Sequence, residues 1–158
     1  MSEIKATHND GLSRRELLER LSPFGKVELD AAKCTGCCLC VTECSTGALT
    51  ISTIDESGGF QLFFRQSRCV ACSQCVEICP EKCLHMEHVL ELEKTDSQSV
   101  LFEDTIVRCS GCGSPIGPRS MIAKLQSRVM AVGHSFSSQA ELCPACKVQA
   151  QFNQLRTK

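Results

Sequence analysis

Apolar and polar positions sort this chain into short strands, short helices and polar breaks. Thr50 to Ile54 alternates, Asp55-Glu56-Ser57-Gly58-Gly59 is turn chemistry, and Phe60 to Phe64 resumes strand character. Val27-Glu28-Leu29 reads as an earlier strand, and a strand near 89–92 is available to pair with it. Val100 to Val107 predicts another. Ile122, Leu125, Val129 and Val132 fall at helical spacing from Arg119 onward, behind an entrance marked by Pro115 and Pro118. That helix is expected to pack as core, with Arg119, Lys124 and Arg128 as solvated charges. A terminal helix is expected over Lys147 to Leu155. Near the start, Ser13 caps a short amphipathic helix carrying Leu12, Leu17, Leu18 and Leu21. No uncharged run approaches the ~20 apolar residues that a membrane helix needs, so no span is expected.

Composition then shows what this pattern lacks. The 158 residues include seven Phe, no Tyr and no Trp, so large aromatic side chains supply little of any core. They include 14 Cys. Seventeen Lys and Arg against 18 Asp and Glu give a net charge of −1, which argues against a nucleic-acid partner. So much Cys fits either an exported disulfide scaffold or a metal protein of a reducing compartment. Ser13-Arg14-Arg15-Glu16-Leu17-Leu18 resembles a twin-arginine export motif, but the polar Glu19 to Lys26, broken by Pro23 and Gly25, follows where an apolar stretch belongs. A cytoplasmic metal protein is the expectation.

Cysteine spacing divides the chain. Residues 1–25 form a tail and short helix, 26–93 a first cysteine-rich domain, 94–99 a polar linker, and 100–158 a second. Within the first domain the sequence repeats at an offset of 35: Cys34, Cys37, Cys40 and Cys44 map onto Cys69, Cys72, Cys75 and Cys79. Leu62-Phe63-Phe64 stands before the second set as Val27-Glu28-Leu29 stands before the first, so each half reads as strand, Cys loop, short helix, strand.

The spacing C-x2-C-x2-C-x3-C, occurring twice, carries specific chemistry. Three thiolates along one loop reach three irons of a cubane, and the fourth iron takes its ligand from outside that loop. This assigns Cys34, Cys37, Cys40 and Cys79 to one [4Fe-4S] cluster and Cys69, Cys72, Cys75 and Cys44 to another. Residues 26–93 thus resemble the bacterial two-[4Fe-4S] ferredoxins. The resemblance implies a pseudo-twofold α+β domain that carries single electrons and makes no bonds of its own. Ser45 follows Cys44 where the family usually has Pro, whereas Pro80 keeps the usual residue. Cys83 takes the place of Ala48 in the repeat and is read as packing; Cys38, beside a ligand, stands between packing and a redox or ligand-exchange role. The C-x3-C-x2-C spacing of radical-generating enzymes occurs nowhere.

In the second domain Cys109 and Cys112 form one C-x2-C knuckle, and Cys143 and Cys146 another. Paired knuckles close tetrahedral Zn2+ sites, and this pair resembles a zinc ribbon or treble clef. A third [4Fe-4S] cluster on the same four thiolates is the alternative. His8, His85, His88 and His134 are read as surface or packing residues, and no catalytic set, phosphate loop or dinucleotide fingerprint stands out. With two clusters and one zinc, each contributing about −2 with its thiolates, the loaded protein carries about −7.

The expected function is electron transfer as an iron-sulfur subunit or dedicated partner of a larger oxidoreductase, such as a hydrogenase, a formate dehydrogenase or another molybdenum enzyme. The chain itself is expected not to be an enzyme. A free ferredoxin, or a redox sensor with a zinc-ribbon interaction module, is the alternative.

Overall fold

The computed structural model describes residues 24–54, 58–89, 97–133 and 141–156. The helix expected over Leu12 to Leu21 lies outside them, as do residues 90–92. Among the described residues, six strands, β1 (Lys26–Leu29), β2 (Leu49–Ile54), β3 (Gly59–Arg65), β4 (Leu84–Glu87), β5 (Gln98–Arg108) and β6 (Pro115–Pro118), are interleaved with four α-helices. The helices are α1 (Leu39–Thr42), α2 (Gln74–Ile78), α3 (Arg119–Ala131) and α4 (Pro144–Arg156). The fold is mixed α and β, as expected.

The repeat dictates the pairing. The strand before each cysteine run pairs antiparallel with the strand after the other run: β1 with β4, Val27 opposite Met86, and β3 with β2, Leu62 opposite Ile51. The partner of β1 is therefore residues 84–87, not the 89–92 expected from sequence. Cys83 ends a tight turn directly before β4, and Asp30 N–H donates to its carbonyl at 2.8 Å, which sets the register. Buried Gln66 donates from Nε2 to the Val89 carbonyl at 2.6 Å, satisfying a polar group that would otherwise be costly inside.

The second sheet does not stop where the sequence suggested a linker. β5 pairs with β3, and the four strands run in the order β2-β3-β5-β6. Phe102 of β5 lies opposite Leu62 and meets Phe60 edge to face, ring centroids 6.2 Å apart. Val27, Leu49, Phe60, Leu62, Phe64, Leu84 and Phe102 form one buried cluster with Cys40, Cys69, Cys75 and Cys83. With so few aromatics, cysteine sulfur fills much of the interior.

α3 corrects a sequence expectation. It buries no residue completely, and Leu125 and Val132 are exposed. Polar contacts fasten it instead. Ser120 N–H donates to Asp104 at 2.8 Å, and Arg119 Nε donates to Thr105 at 3.1 Å. Lys124 and Arg128 reach Glu81 at 2.9 and 3.1 Å, so two charges read as solvated are paired with the first cysteine-rich region. Among the described residues no helix is long and apolar enough to cross a membrane.

Candidate metal centres

Each cysteine loop is shaped by backbone in the left-handed region. Gly36 and Cys38 in the first loop have φ of 66° and 65°; their repeat equivalents Ala71 and Ser73 have 52° and 61°. Gly47 and Lys82, past the fourth Cys of each run, form a third such pair at 64° and 47°. A left-handed residue costs a non-glycine side chain roughly 1–2 kcal/mol, so four of these six positions are strained. The conformation wraps the chain tightly and turns successive N–H groups to one side, which suits a negatively charged occupant.

The sulfurs gather in two cavities. One is lined by Cys34, Cys37, Cys40 and Cys79, with Leu29, Phe60, Leu62 and Leu84 as apolar wall. The other is lined by Cys44, Cys69, Cys72 and Cys75, with Val27, Leu49, Phe64 and Met86. Cys38 and Cys83 border the first cavity as well. Cys83 is 2% exposed and belongs to the core cluster, in keeping with its expected role in packing, and its sulfur lies 3.5 Å from that of Cys79. Cys38 Sγ donates to the Gly36 carbonyl at 3.3 Å.

Six of these thiols fall into two electrostatic kinds. Burial pushes Cys34 and Cys69 up, Cys40 to about 12 and Cys75 to about 11. Cys44 and Cys79 go the other way. Burial also opposes their ionisation, but N–H groups of Leu49, Ala48 and Thr46 and the Thr46 hydroxyl hold Cys44 down. The N–H groups of Cys83, Glu81 and Lys82 do the same for Cys79. Two pairs of these donors, Thr46 with Glu81 and Ala48 with Cys83, occupy repeat-equivalent positions, so the fourth Cys of each run meets a similar backbone nest. Sequence reasoning missed these donors because they are main-chain groups with no residue signature.

The remaining knuckles form a tighter set. The sulfurs of Cys109, Cys112, Cys143 and Cys146 all lie within 4.8 Å of one another, and Cys112 and Cys143 are 3.6 Å apart. Cys109 and Cys112 sit in the turn between β5 and β6; Cys143 directly precedes α4 and Cys146 lies in its first turn. Cys109 accepts from the N–H of Cys143 at 3.2 Å and of Gly111 at 3.4 Å. The first of these, against the opposing effect of burial, holds Cys109 down to about 6. Hydrogen bonding with the thiols of Cys112, Cys143 and Cys109 pushes Cys146 up to about 12. Four thiols thus converge at one point. His85 and His88 are exposed, and His8 and His134 lie outside the described residues.

Comparison with known proteins agrees with the first two sites. Residues 33–83 match the family model described as a 4Fe-4S dicluster domain. A stretch of 58 residues is 40% identical to the polyferredoxin protein MvhB of Methanothermobacter marburgensis, covering 34% of this chain and 14% of that protein. Over 81 residues the chain is 31% identical to NADH-quinone oxidoreductase subunit I 2 of Geobacter metallireducens, covering 49% of this chain and 62% of that protein. The chain thus spans less than two thirds of either relative. It is residues 33–83 that carry the likeness to a 4Fe-4S dicluster domain.

Proposed function

We propose that this chain relays single electrons through two [4Fe-4S] clusters, held by Cys34, Cys37, Cys40 and Cys79 and by Cys69, Cys72, Cys75 and Cys44. The observation that carries the reading is that each cavity is lined by three Cys of one run and the fourth of the other. The donor set fits the group: four thiols around an apolar pocket, one of them held below the ordinary thiol range by backbone N–H groups. When bound, the clusters supply reversible one-electron storage at potentials set by hydrogen bonding, charge and burial. The chain's own residues do the rest. The nests beyond Cys44 and Cys79 direct N–H dipoles at ligand sulfur, and Phe60, Leu62, Leu49 and Phe64 exclude water.

At the third site the compact sulfurs favour one ion. A tetrahedral zinc bonded to sulfur at ~2.3 Å brings its ligands to van der Waals separation, whereas a cubane holds them much farther apart. We therefore assign Zn2+ to Cys109, Cys112, Cys143 and Cys146, as a structural centre. The likeness to a polyferredoxin and to an NADH-quinone oxidoreductase subunit supports a role as the iron-sulfur component of a larger oxidoreductase, of hydrogenase, formate dehydrogenase or related type. Residues 26–93 and 100–158 would then be the carrier and an attached zinc-stabilised module, operating in the cytoplasm.

Anaerobic metal and sulfide analysis tests the assignment. Four iron and four sulfide per cluster for two clusters, with one zinc, is the expected content. A third cluster's worth of iron with no zinc would reassign the last site. Purification from a native source with an oxidoreductase attached is expected; recovery of this chain alone, fully reducible by a soluble donor, would favour a free ferredoxin.

A further inference from the structure

The 35-residue repeat gives every position in the first cysteine loop a control in the second. Thr35 is 8% exposed, whereas its equivalent Val70 is 55% exposed. Gly36 is buried and Ala71 half-buried; Cys37 is half-buried and Cys72 exposed. A buried Thr opposite an exposed Val inverts what transfer from water favours, so the local sequence does not cause the asymmetry.

The cause is tertiary. Pro118 of β6 lies on the first loop, so closely that a Cβ added at Gly36 would stand 3.0 Å from its Cγ. α3 follows directly and is tied by Lys124 and Arg128 to Glu81, two residues past Cys79. A cleft of about 510 Å³ remains between α3 and the loop, reaching Cys34 past Lys33, Ser120 and Lys124. It admits water and small molecules, but α3 stands where a second protein would have to approach. Among the described residues Gly25 packs on the second loop at Cys69 and Ala71, but the rim of Thr46, Val70, Cys72 and Gln74 borders the cavity exposed and uncharged.

We infer that β6 and α3 cap the first centre against macromolecules and leave the second as the port where protein partners exchange electrons, docking on the rim of Val70 and Cys72. The uncharged rim fits a redox protein whose own contact area is apolar, in the small, transient interface typical of electron-transfer pairs. The inference rests on the two cysteine sets being cluster ligands.

The test uses the full chain, loaded and reduced anaerobically, with oxidation followed by stopped flow. Cytochrome c serves as a protein-sized acceptor and duroquinone as a small uncharged one. Val70→Lys and Leu39→Lys add the same charge at an exposed position beside each centre, Leu39 being 41% exposed. The ratio of cytochrome c rate to quinone rate is expected to fall several-fold in Val70→Lys and to hold in Leu39→Lys. Adding Lys124→Glu and Arg128→Glu, which repel Glu81 and loosen the cap, is expected to restore much of the ratio to Val70→Lys. Equal losses in the two single variants, or a loss in Leu39→Lys alone, would overturn the port; no recovery on uncapping would overturn the cap. Iron and sulfide are counted in every sample before mixing. Fewer than two clusters in the unsubstituted protein would instead sink the ligand reading itself.

Discussion

Cys38, Ala71, Ser73 and Lys82 hold a backbone conformation that side chains disfavour, at positions where the other half of the repeat has Gly36 for Ala71 and Gly47 for Lys82. Ala71→Gly is therefore expected to stabilise the loaded protein by up to about 1 kcal/mol, read as a higher unfolding midpoint. Gly36→Ala is expected to cost more than about 1–2 kcal/mol, because the new Cβ meets Pro118 and Phe60 in addition to the strained φ. Equal midpoints for the two variants would refute the loop geometry. Cys83→Ala tests a second residue-scale claim. A residue that borders the first cavity without ligating should leave the iron content of both clusters intact, while the spectrum of one cluster shifts as its S–H neighbour is removed. Loss of a whole cluster would make Cys83 a ligand. The ligand spacing was legible in the sequence. The nests that lower the Cys44 and Cys79 thiols were not, because main-chain donors are the same for every residue.

Among the elements, β5 and α3 depart furthest from the sequence expectation. The strand itself was predictable from Val100 to Val107, but its partner was not, since edge pairing depends on which sheet has a free edge of matching register. β3 offers that edge, and Phe102 enters the core beside Phe60. Phe102→Ala is expected to cost about 3–5 kcal/mol. It should also speed loss of iron from the dicluster region, although Phe102 lies outside residues 33–83; urea unfolding monitored by cluster absorbance checks both. α3 shows the opposite failure. Its 3.6-residue periodicity was real, yet Leu125 and Val132 remain exposed, because polar anchors to Asp104, Thr105 and Glu81 fix its orientation. Lys124 and Arg128 are themselves substantially exposed, so removing both is expected to cost no more than about 1 kcal/mol in global stability. Their importance is for where α3 sits.

For the molecule as a whole, three thiol centres stand in for the core that its few aromatics cannot build. Metal binding of this kind is folding free energy, since the sites do not exist in the unfolded chain. If the third site holds the zinc proposed for it, its selective removal with a chelator is expected to unfold the β5–β6 turn and the start of α4, seen as lost helical circular dichroism, while the iron content holds. Simultaneous loss of iron and zinc would show instead that the two regions fold as one cooperative unit, an outcome for which the continuous β2-β3-β5-β6 sheet provides the route.

The sequence by itself determined where the candidate ligands stand along the chain. Ligand chemistry is short-ranged, and thiolate spacing within a loop must match the geometry of its metal, so the two C-x2-C-x2-C-x3-C runs and the paired knuckles were readable without coordinates. Only the tertiary structure decided that β4 begins at Leu84, that β5 joins the sheet of the dicluster region, and that Pro118 and α3 cover one cysteine loop and leave its repeat open. Those outcomes depend on which surfaces meet, and two halves with the same local pattern acquire different environments from contacts far away in sequence.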